Sequence, residues 1–342
     1  MIPSYPLNVT DLLSRLPVQK VTPRWLNESK VALYMLRLDL TDASVSGNKW
    51  FKLAKNIIDA QSAGHQQLLS FGGAYSNHIF SFSSACAEAG LSSVAVIRGE
   101  ELSADSNPML KAVKGLGTTL IFVDREAYRR KYEQDRLTYY RSQVGEFCLI
   151  PEGGSNQAGV SGAEAIGELV MNQATEFDHV MLACGTGATL AGVVRGISGY
   201  DNAPMVHGFS SFGMRSVAAG TGWLTKEVEQ FLEEGQSEGR SSRGFQLHAD
   251  ASLPGYGRLS QELMHFGAEF LEDTGVLLDP VYTLKLMAFV QRWCQQDCLE
   301  SQKVLCIHTG GLHGWLGYLD EESGGDMPAQ LLGTIKQRLL SL

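Results

Sequence analysis

The 342-residue sequence predicts an α/β fold with mostly parallel, twisted sheets that are covered by helices on both faces. Two observations lead to this prediction. Short apolar runs rich in β-branched residues alternate along the chain with longer runs of helical period. Glycine-rich segments with hydroxyl and amide side chains lie where several short runs meet the next helix-like run. In parallel sheets, ligands gather at such strand-to-helix turns.

The predicted elements follow one another in a regular order. The strand candidates are residues 31–38, 67–71, 93–97, 118–123, 180–183, 205–209 and 304–308. The helix candidates are residues 50–63, 79–89, 128–143, 162–173, 189–197, 259–272, 282–295 and 328–340. The segment 234–244 is predicted to be a surface loop, and 151–156 a boundary between two α/β blocks.

Composition and charge narrow the class of protein. The formal net charge is −9 and no basic stripe is present, which argues against a nucleic-acid partner. No apolar run is long enough to span a bilayer, and the N-terminus lacks the pattern of a secretory signal. The six cysteines match no zinc spacing, and His308 and His313 have no nearby acid. Reduced thiols in a cytoplasmic protein without a metal site are therefore expected.

Lys49 is the first candidate for chemistry because it ends the segment 46–49 (Ser-Gly-Asn-Lys) at the start of a predicted helix. The helix field and desolvation can lower the pKa of such a lysine, as an amine that attacks a carbonyl requires. A glycine-rich turn at 70–78 follows and ends on Ser76, Asn77 and His78. A solvated surface charge is the alternative reading of a single lysine. Lys52 is the rival candidate, but it is expected to point elsewhere.

The segment 180–192 predicts a phosphate site, because a buried strand meets Gly185, Thr186, Gly187, Ala188 and Thr189 before a helix. Glycines allow backbone N–H groups to approach an anion, and the helix N-terminus favours negative charge. A tight turn that binds nothing is the plain alternative. A dinucleotide site would need an acid after the next strand, and 207–212 contains none. A nucleoside-triphosphate site would need a Gly-Lys-Ser/Thr sequence.

Three segments together resemble a fold-type II pyridoxal-phosphate enzyme: Ser-Gly-Asn-Lys-x-x-Lys-Leu at 46–53, Gly-Gly-x-x-Ser-Asn-His at 72–78 and Gly-Thr-Gly-x-Thr at 185–189. Further matches at 254–257, 279–282 and 308–311 resemble the family of 1-aminocyclopropane-1-carboxylate (ACC) deaminase and D-cysteine desulfhydrase. The resemblance implies a two-domain, tryptophan synthase β-like fold. A large domain (1–49 and 156–342) would carry a smaller inserted α/β domain (50–155), with pyridoxal 5'-phosphate in the cleft between them.

The resemblance also implies residue roles. Lys49 would bind the cofactor covalently and later move the Cα proton, and Asn77 would hydrogen-bond the phenolic oxygen of the cofactor. The implied catalytic residues are Lys49, Ser76, Tyr256 and Tyr282. The implied cofactor-binding residues are Lys49, Asn77, Gly185, Thr186, Gly187, Ala188, Thr189 and Thr309. The implied substrate-binding residues are Ser76, Asn77, His78, Tyr256, Tyr282 and Thr283.

Two threonines discriminate within the family. Thr283 and Thr309 resemble the D-cysteine desulfhydrase branch, whereas the deaminase branch has a glutamate and a leucine there. Thr309 is predicted to face the ring nitrogen of the cofactor, with Thr283 on the same wall. A neutral hydroxyl makes the ring a weaker electron sink than a carboxylate does, which suits expulsion of a thiolate. His313 and Trp315 depart from the family pattern and are expected to narrow or repolarise the site.

The predicted function is conversion of D-cysteine to pyruvate, sulfide and ammonia by a cytoplasmic homodimer, the dimer being implied by family analogy alone. ACC deaminase, or another eliminase or racemase of a small amino acid, is the alternative on the same fold. A pyridoxal-phosphate carrier without catalytic activity and a dinucleotide-dependent oxidoreductase are the alternatives from other classes.

Overall fold

The computed structural model describes residues 9–27, 30–212, 217–234, 244–295, 299, 301–319 and 327–339. The predicted loop at 235–243 and Cys298 lie outside these residues. The strands are β1 (Val18–Lys20), β2 (Ala32–Arg37), β3 (Gln67–Gly73), β4 (Ser92–Arg98), β5 (Thr119–Val123), β6 (Cys148–Leu149), β7 (His179–Cys184), β8 (Met205–Ser210), β9 (Phe245–His248) and β10 (Lys303–His308).

Helices connect and cover these strands. The α-helices are α1 (Val9–Leu13), α2 (Asn48–Ser62), α3 (Asn77–Glu88), α4 (Pro108–Gly115), α5 (Arg125–Arg129), α6 (Gln134–Val144), α7 (Gln157–Met171), α8 (Ala188–Ile197), α9 (Val217–Glu234), α10 (Gln261–Thr274), α11 (Thr283–Trp293) and α12 (Ala329–Leu339). Short 3-10 helices lie at Arg24–Leu26, Leu38–Leu40, Glu152–Gly154 and Leu312–Tyr318. Within the described ranges, no helix is long and apolar enough to cross a membrane.

Two sheets organise the described part of the chain. The larger sheet has six strands in the order β1-β2-β10-β7-β8-β9, and the smaller has four in the order β5-β4-β3-β6. Every pairing is parallel except that of β1 with β2. The predicted α/β class with mostly parallel sheets is therefore confirmed.

Alternate residues of the larger sheet enter two different cores, because successive strand residues point to opposite faces. Val180 and Leu182 join a core formed with α2, α7, α8 and α9. Met181 and Ala183 join a core formed with α10, α11 and α12. The smaller sheet is covered in the same way, by α3 and α4 on one face and by α5 and α6 on the other. Helices thus cover both faces of each sheet.

Helix α2 lies where the two sheets meet. It shares one continuous core with α7 of the larger sheet and α3 of the smaller one. A side chain at Gly162 of α7 would come within 2.1 Å of the carbonyl oxygen of Phe51, so only glycine permits this close crossing. The predicted domain boundaries at 49/50 and 155/156 stay a prediction.

The seven predicted strands are all present, whereas one helix prediction was wrong. Residues 128–143 form two helices, α5 and α6, instead of one. The turn between them is held by Arg130, whose guanidinium binds Glu133 and Asp135 at 2.8 and 2.9 Å. Strands β1, β6 and β9 and helices α1, α4 and α9 were not predicted. The three strands and α1 have five residues or fewer, which is too short to show a period.

Candidate active site

One cleft of about 740 Å³ lies at the carboxyl ends of parallel strands from both sheets. Its walls come largely from the turns that follow β3, β7 and β10. Residues of the segments 46–53, 72–78, 185–189 and 308–311 line it together, although they are far apart in the sequence. A cleft of this size is typical of small-ligand sites, and it has room for a cofactor beside a substrate.

Gly47 determines where Lys49 lies. Its backbone has φ +68°, and a side chain there would come within 2.0 Å of the carbonyl oxygen of Thr309. The next residue, Asn48, donates its backbone N–H to that same oxygen at 3.1 Å. The start of α2 is thus pressed directly against the segment 309–310. This close contact explains why the Ser-Gly-Asn-Lys and His-Thr-Gly-Gly segments both need glycine.

The amine of Lys49 lies in the cleft, and the residue as a whole is half-buried. Its Nζ donates to Oδ1 of Asn48 at 3.0 Å, and Nδ2 of Asn48 donates to the hydroxyl of Thr189 at 2.8 Å. Burial lowers the pKa of Lys49 to about 8, although the negative charge of Asp279 opposes the shift. Lys49 therefore has a substantial fraction of free amine near neutral pH, as a nucleophile requires.

The turn at 185–189 forms a cradle with free backbone donors. Gly187 has φ +83° and precedes α8, so no side chain caps that helix. Gly185, Thr186, Gly187 and Thr189 line the cleft. Ala188 does not, because its methyl group lies in the core, and it can contribute only its backbone N–H. A phosphate group fits such a helix N-terminus.

Lys52 lines the same cleft, so the expectation that it points elsewhere was wrong. Its Nζ donates to the hydroxyl of Ser155 at 3.0 Å, and that hydroxyl is hydrogen-bonded to Thr186 of the cradle. Residues three apart lie on neighbouring sides of a helix, so Lys49 and Lys52 can both reach the cleft. Burial holds the pKa of Lys52 well below its usual range, and Lys49 adds to the effect. Sequence reasoning missed Lys52 and its partner Ser155, and it also missed Arg98 and Arg125, which line the cleft.

The turn at 76–78 provides a second anion site. The Ser76 hydroxyl caps α3 by accepting the N–H of Ile79 at 3.3 Å. Among the described residues, the N–H groups of Asn77 and His78 find no acceptor, as expected for the first turn of a helix. The His78 ring is buried and bonded through Nε2 to the hydroxyl of Ser70 at 2.7 Å. Two free amides beside a hydroxyl suit a carboxylate.

Tyr256 and Tyr282 form the opposite wall. Their hydroxyl oxygens are 3.0 Å apart, and the Tyr256 ring stacks on Phe212 with ring centroids 5.1 Å apart. Burial raises the pKa of both tyrosines, so both hydroxyls are neutral at pH 7. The buried amine of Lys285 holds the loop before Tyr256 by donating to the carbonyl oxygen of Gly255 at 2.7 Å. The predicted tyrosine pair is therefore assembled and anchored.

The two threonines that were expected on one wall lie in different environments. Thr309 lines the cleft, and no partner for its hydroxyl is found within the described ranges. Thr283 is completely buried and does not line the cleft. Its hydroxyl and its backbone N–H both donate to the carboxylate of Asp279. Of the two, only Thr309 offers a hydroxyl to a ligand, and Thr283 supports Tyr282 from behind.

His313 and Trp315 also differ. His313 lines the cleft and packs on Phe80 with ring centroids 4.2 Å apart, and burial lowers its pKa to about 4. Trp315 is fully buried, and its indole N–H donates to the carbonyl oxygen of Leu278 at 2.8 Å. Of the two residues that depart from the family pattern, only His313 is therefore placed where it could narrow or repolarise the cleft. Trp315 belongs to the core.

The assembled residues fit a phosphate-bearing aldehyde cofactor. A half-buried lysine of lowered pKa lines the cleft with a cradle of glycine and threonine, and the buried Oδ1 of Asn77 has no hydrogen-bond partner among the described residues. An unsatisfied buried amide is costly unless a ligand completes its hydrogen bonds. No group of three or more potential metal ligands is found among the described side chains. The fold and the site together define a pyridoxal-phosphate enzyme of fold type II.

Comparisons with known proteins identify the family. A family model described as pyridoxal-phosphate dependent enzyme matches residues 19–310. A Pyrococcus horikoshii protein, provisionally named ACC deaminase, is 28% identical over 311 residues, which cover 89% of this chain and 92% of that protein. The mitochondrial bifunctional D-cysteine desulfhydrase/ACC deaminase of Arabidopsis thaliana is 28% identical over 313 residues, covering 84% and 74%.

A solved structure agrees with these sequence relatives. The crystal structure of an ACC deaminase homologue has a TM-score of 0.75 at 25% identity and covers 91% of this chain and 97% of its own. The chain therefore belongs to the pyridoxal-phosphate dependent enzymes, and specifically to the ACC deaminase/D-cysteine desulfhydrase family. It is a lyase whose cofactor is pyridoxal 5'-phosphate, and the resemblance seen in the sequence is confirmed.

Proposed function

We propose that the chain is a D-cysteine desulfhydrase, which converts D-cysteine and water to pyruvate, hydrogen sulfide and ammonia. The observation that carries this proposal is the Thr309 hydroxyl, which lines the cleft and which we take as the partner of the cofactor's ring nitrogen. Glu101 and Glu152 are the carboxylates that line the cleft, and both follow strands of the smaller sheet. A neutral partner for the ring nitrogen suits β-elimination of a thiolate.

The cofactor would be held by three groups of residues. Lys49 would bind its aldehyde carbon, and the 185–189 turn with Lys52 would bind its phosphate. Asn77 would hydrogen-bond its phenolic oxygen, and Thr309 would face its ring nitrogen. When bound, pyridoxal 5'-phosphate supplies an electron-withdrawing ring that stabilises negative charge at the substrate Cα.

The substrate is oriented by the chain itself. The free N–H groups of Asn77 and His78, with the Ser76 hydroxyl beside them, bind the substrate carboxylate at the start of α3. The Lys49 amine would take the proton from Cα. The paired hydroxyls of Tyr256 and Tyr282 lie across the cleft as neutral donors for the departing sulfur.

Product analysis tests the substrate. We expect sulfide and pyruvate from D-cysteine, none from L-cysteine, and no 2-oxobutanoate from ACC. If 2-oxobutanoate from ACC is the dominant product, the chain is an ACC deaminase instead. The names of its relatives support that second candidate.

Borohydride reduction followed by peptide mapping tests the role of Lys49. We expect a pyridoxyl group on Lys49. Lys49→Ala removes it, whereas Lys55→Ala, an exposed lysine paired with Asp59 on the same helix, is the matched control and retains it. A pyridoxyl group on Lys52 would reverse the roles of the two lysines. A cytoplasmic homodimer stays a prediction.

A further inference from the structure

The cleft extends beyond the predicted catalytic residues along the smaller sheet. In that sheet β3 is followed by β4 and then by β5, each parallel to the last. The turn after β3 carries Ser76, β4 ends at Arg98, and Arg125 lies just after β5. Neighbouring strands are about 4.8 Å apart, so the two arginines lie roughly one and two strand spacings from the Ser76 turn. Both line the cleft.

Arg98 is close to the predicted catalytic groups. It pairs in register with Gly73, and a side chain at Gly73 would come within 3.9 Å of its Nη2. The positive charge of Arg98 also reaches Tyr256, where it works against the burial that raises the pKa of that tyrosine. Its guanidinium therefore lies between the carboxylate turn and the tyrosine wall.

The charges at this end of the cleft leave the arginines available. Over the described ranges, neither guanidinium has a carboxylate within 4.0 Å. Of the acids that line the cleft, Glu152 is paired with Lys131 at 3.4 Å, and Glu101 is exposed beside Gly99. Two arginines therefore face one unpaired acid. This local excess of positive charge contrasts with the formal net charge of −9 for the whole chain.

We propose that Arg98 and Arg125 form a distal subsite that binds an acidic group at the far end of the substrate side chain. The preferred substrate is then a small amino acid whose β-substituent ends in a carboxylate, sulfonate or phosphate. This inference rests on the proposed lyase function and narrows its substrate class.

The reaction on such a substrate remains a β-elimination. Lys49 takes the Cα proton, the bond between Cβ and the substituent atom breaks, and that atom leaves with the bonding electron pair. It gains a proton, and water releases ammonia and pyruvate. With S-carboxymethylcysteine, for example, the products are thioglycolate, pyruvate and ammonia, and one water is consumed.

A matched pair of compounds tests the subsite. S-carboxymethylcysteine and S-carbamoylmethylcysteine have nearly the same shape, but only the first carries a distal charge. Using both enantiomers, we expect kcat/KM to favour the acid by about three- to thirtyfold at low salt, and the preference to shrink as salt screens the charges. Arg98→Gln and Arg125→Gln should each raise KM for the acid by a larger factor than they raise KM for the amide.

Controls separate this proposal from the lyase function. Arg129→Gln, an exposed arginine at the end of α5 that does not line the cleft, should keep the preference for the acid. Equal kcat/KM values for acid and amide, with D-cysteine still converted, overturn the subsite alone. If no compound is converted, the lyase function is wrong. Calorimetric titration with the acid and the amide then tests by itself whether the subsite binds the distal charge. Equal Kd values for acid and amide overturn it.

Discussion

Gly47 is the residue on which the geometry of Lys49 depends. Gly47→Ala should destabilise the protein, because the new methyl group overlaps the backbone of Thr309 in addition to the strain of a positive φ. Strain of this kind alone costs about 1–3 kcal/mol. Gly64→Ala is the matched control, since Gly64 has φ +79° but nothing within 4 Å of its Cβ position. Urea unfolding should show a larger loss of free energy for Gly47→Ala, and equal losses would contradict the close contact.

The lowered pKa of Lys49 makes a second prediction at this scale. Below pH 8 the amine is mostly protonated, so the rate at which apoenzyme attaches pyridoxal phosphate should rise about tenfold per pH unit up to about 8 and then level off. Stopped-flow absorbance between pH 6 and 10 measures this rate. A free lysine derivative, with a pKa of about 10.4, is the control, and its rate of attachment should keep rising over the whole range from pH 6 to 10. A protein rate that also climbs to pH 10 would contradict the buried position.

Strands β7, β8 and β9 carry an unusual chain of histidines. Nδ1 of His179 is 3.0 Å from Nε2 of His207, and Nδ1 of His207 is 3.0 Å from Nε2 of His248. His207 pairs in register with Met181, two residues after His179, and His248 pairs with Phe209, two residues after His207. Residues two apart point to the same face of a sheet, so all three rings lie on one face, against Trp293. A neutral imidazole has one donor and one acceptor, so when all three rings are neutral the central one, His207, has both of its nitrogens satisfied by its neighbours.

The row of three histidines predicts that the free energy of unfolding falls at acid pH. Burial lowers the pKa of His207 to about 3, helped by the two neighbouring histidines. Because the folded pKa lies below the unfolded value of about 6.5, the stabilisation is complete above pH 6.5 and is lost as the pH falls below it. The loss from His207 is about 1.4 kcal/mol per pH unit.

Urea unfolding of the wild type at pH 7.5 and pH 5.5 should show this loss, and His207→Gln should show less of it. His65→Gln, which changes an exposed histidine, should keep the wild-type difference. If His207→Gln shows the same difference in free energy of unfolding between pH 7.5 and pH 5.5 as the wild type, the three histidines do not control the loss of stability in acid. Strand β9 was not predicted, so this histidine chain could not have been foreseen from the sequence.

At the scale of the whole molecule, the cleft joins the two sheets. Hydrogen bonds from Asn48 to Thr189 and from Lys52 to Ser155 span 141 and 103 residues of sequence. A cofactor that contacts both sides stabilises the folded state, by about 2.7 kcal/mol at a hundred times its Kd. Removing pyridoxal phosphate should therefore lower Tm by roughly 4 °C for a chain of this length. Scanning calorimetry of loaded and stripped enzyme measures the shift.

The Lys49→Ala variant is the control for this measurement. It keeps the phosphate cradle, so it should show a smaller shift that depends on the concentration of free cofactor. An identical Tm for loaded and stripped wild-type enzyme would contradict a binding site that links the two sheets.

Much of the fold was predictable because its signals are local. A short β-branched run that is buried on both faces has few conformations other than a strand that pair its backbone hydrogen-bonding groups. Each predicted strand is therefore present. The glycine-rich turns identified the cleft because glycine is needed where the backbone has positive φ or approaches another segment closely. The single helix predicted over residues 128–143 failed because the turn there is held by ion pairs that periodicity does not reveal.

The sequence by itself determined the class of fold and identified Lys49 and the glycine-rich turns at 70–78 and 185–189 as candidates for one site, since these follow from patterns within a few residues. The tertiary structure alone decided that Lys52 reaches the cradle through Ser155 and that Thr309, not Thr283, offers a hydroxyl to the cleft. It also decided that His313 lines the cleft while Trp315 lies in the core. The reason is physical: the direction of a side chain in a cleft depends on its packing against segments a hundred or more residues away.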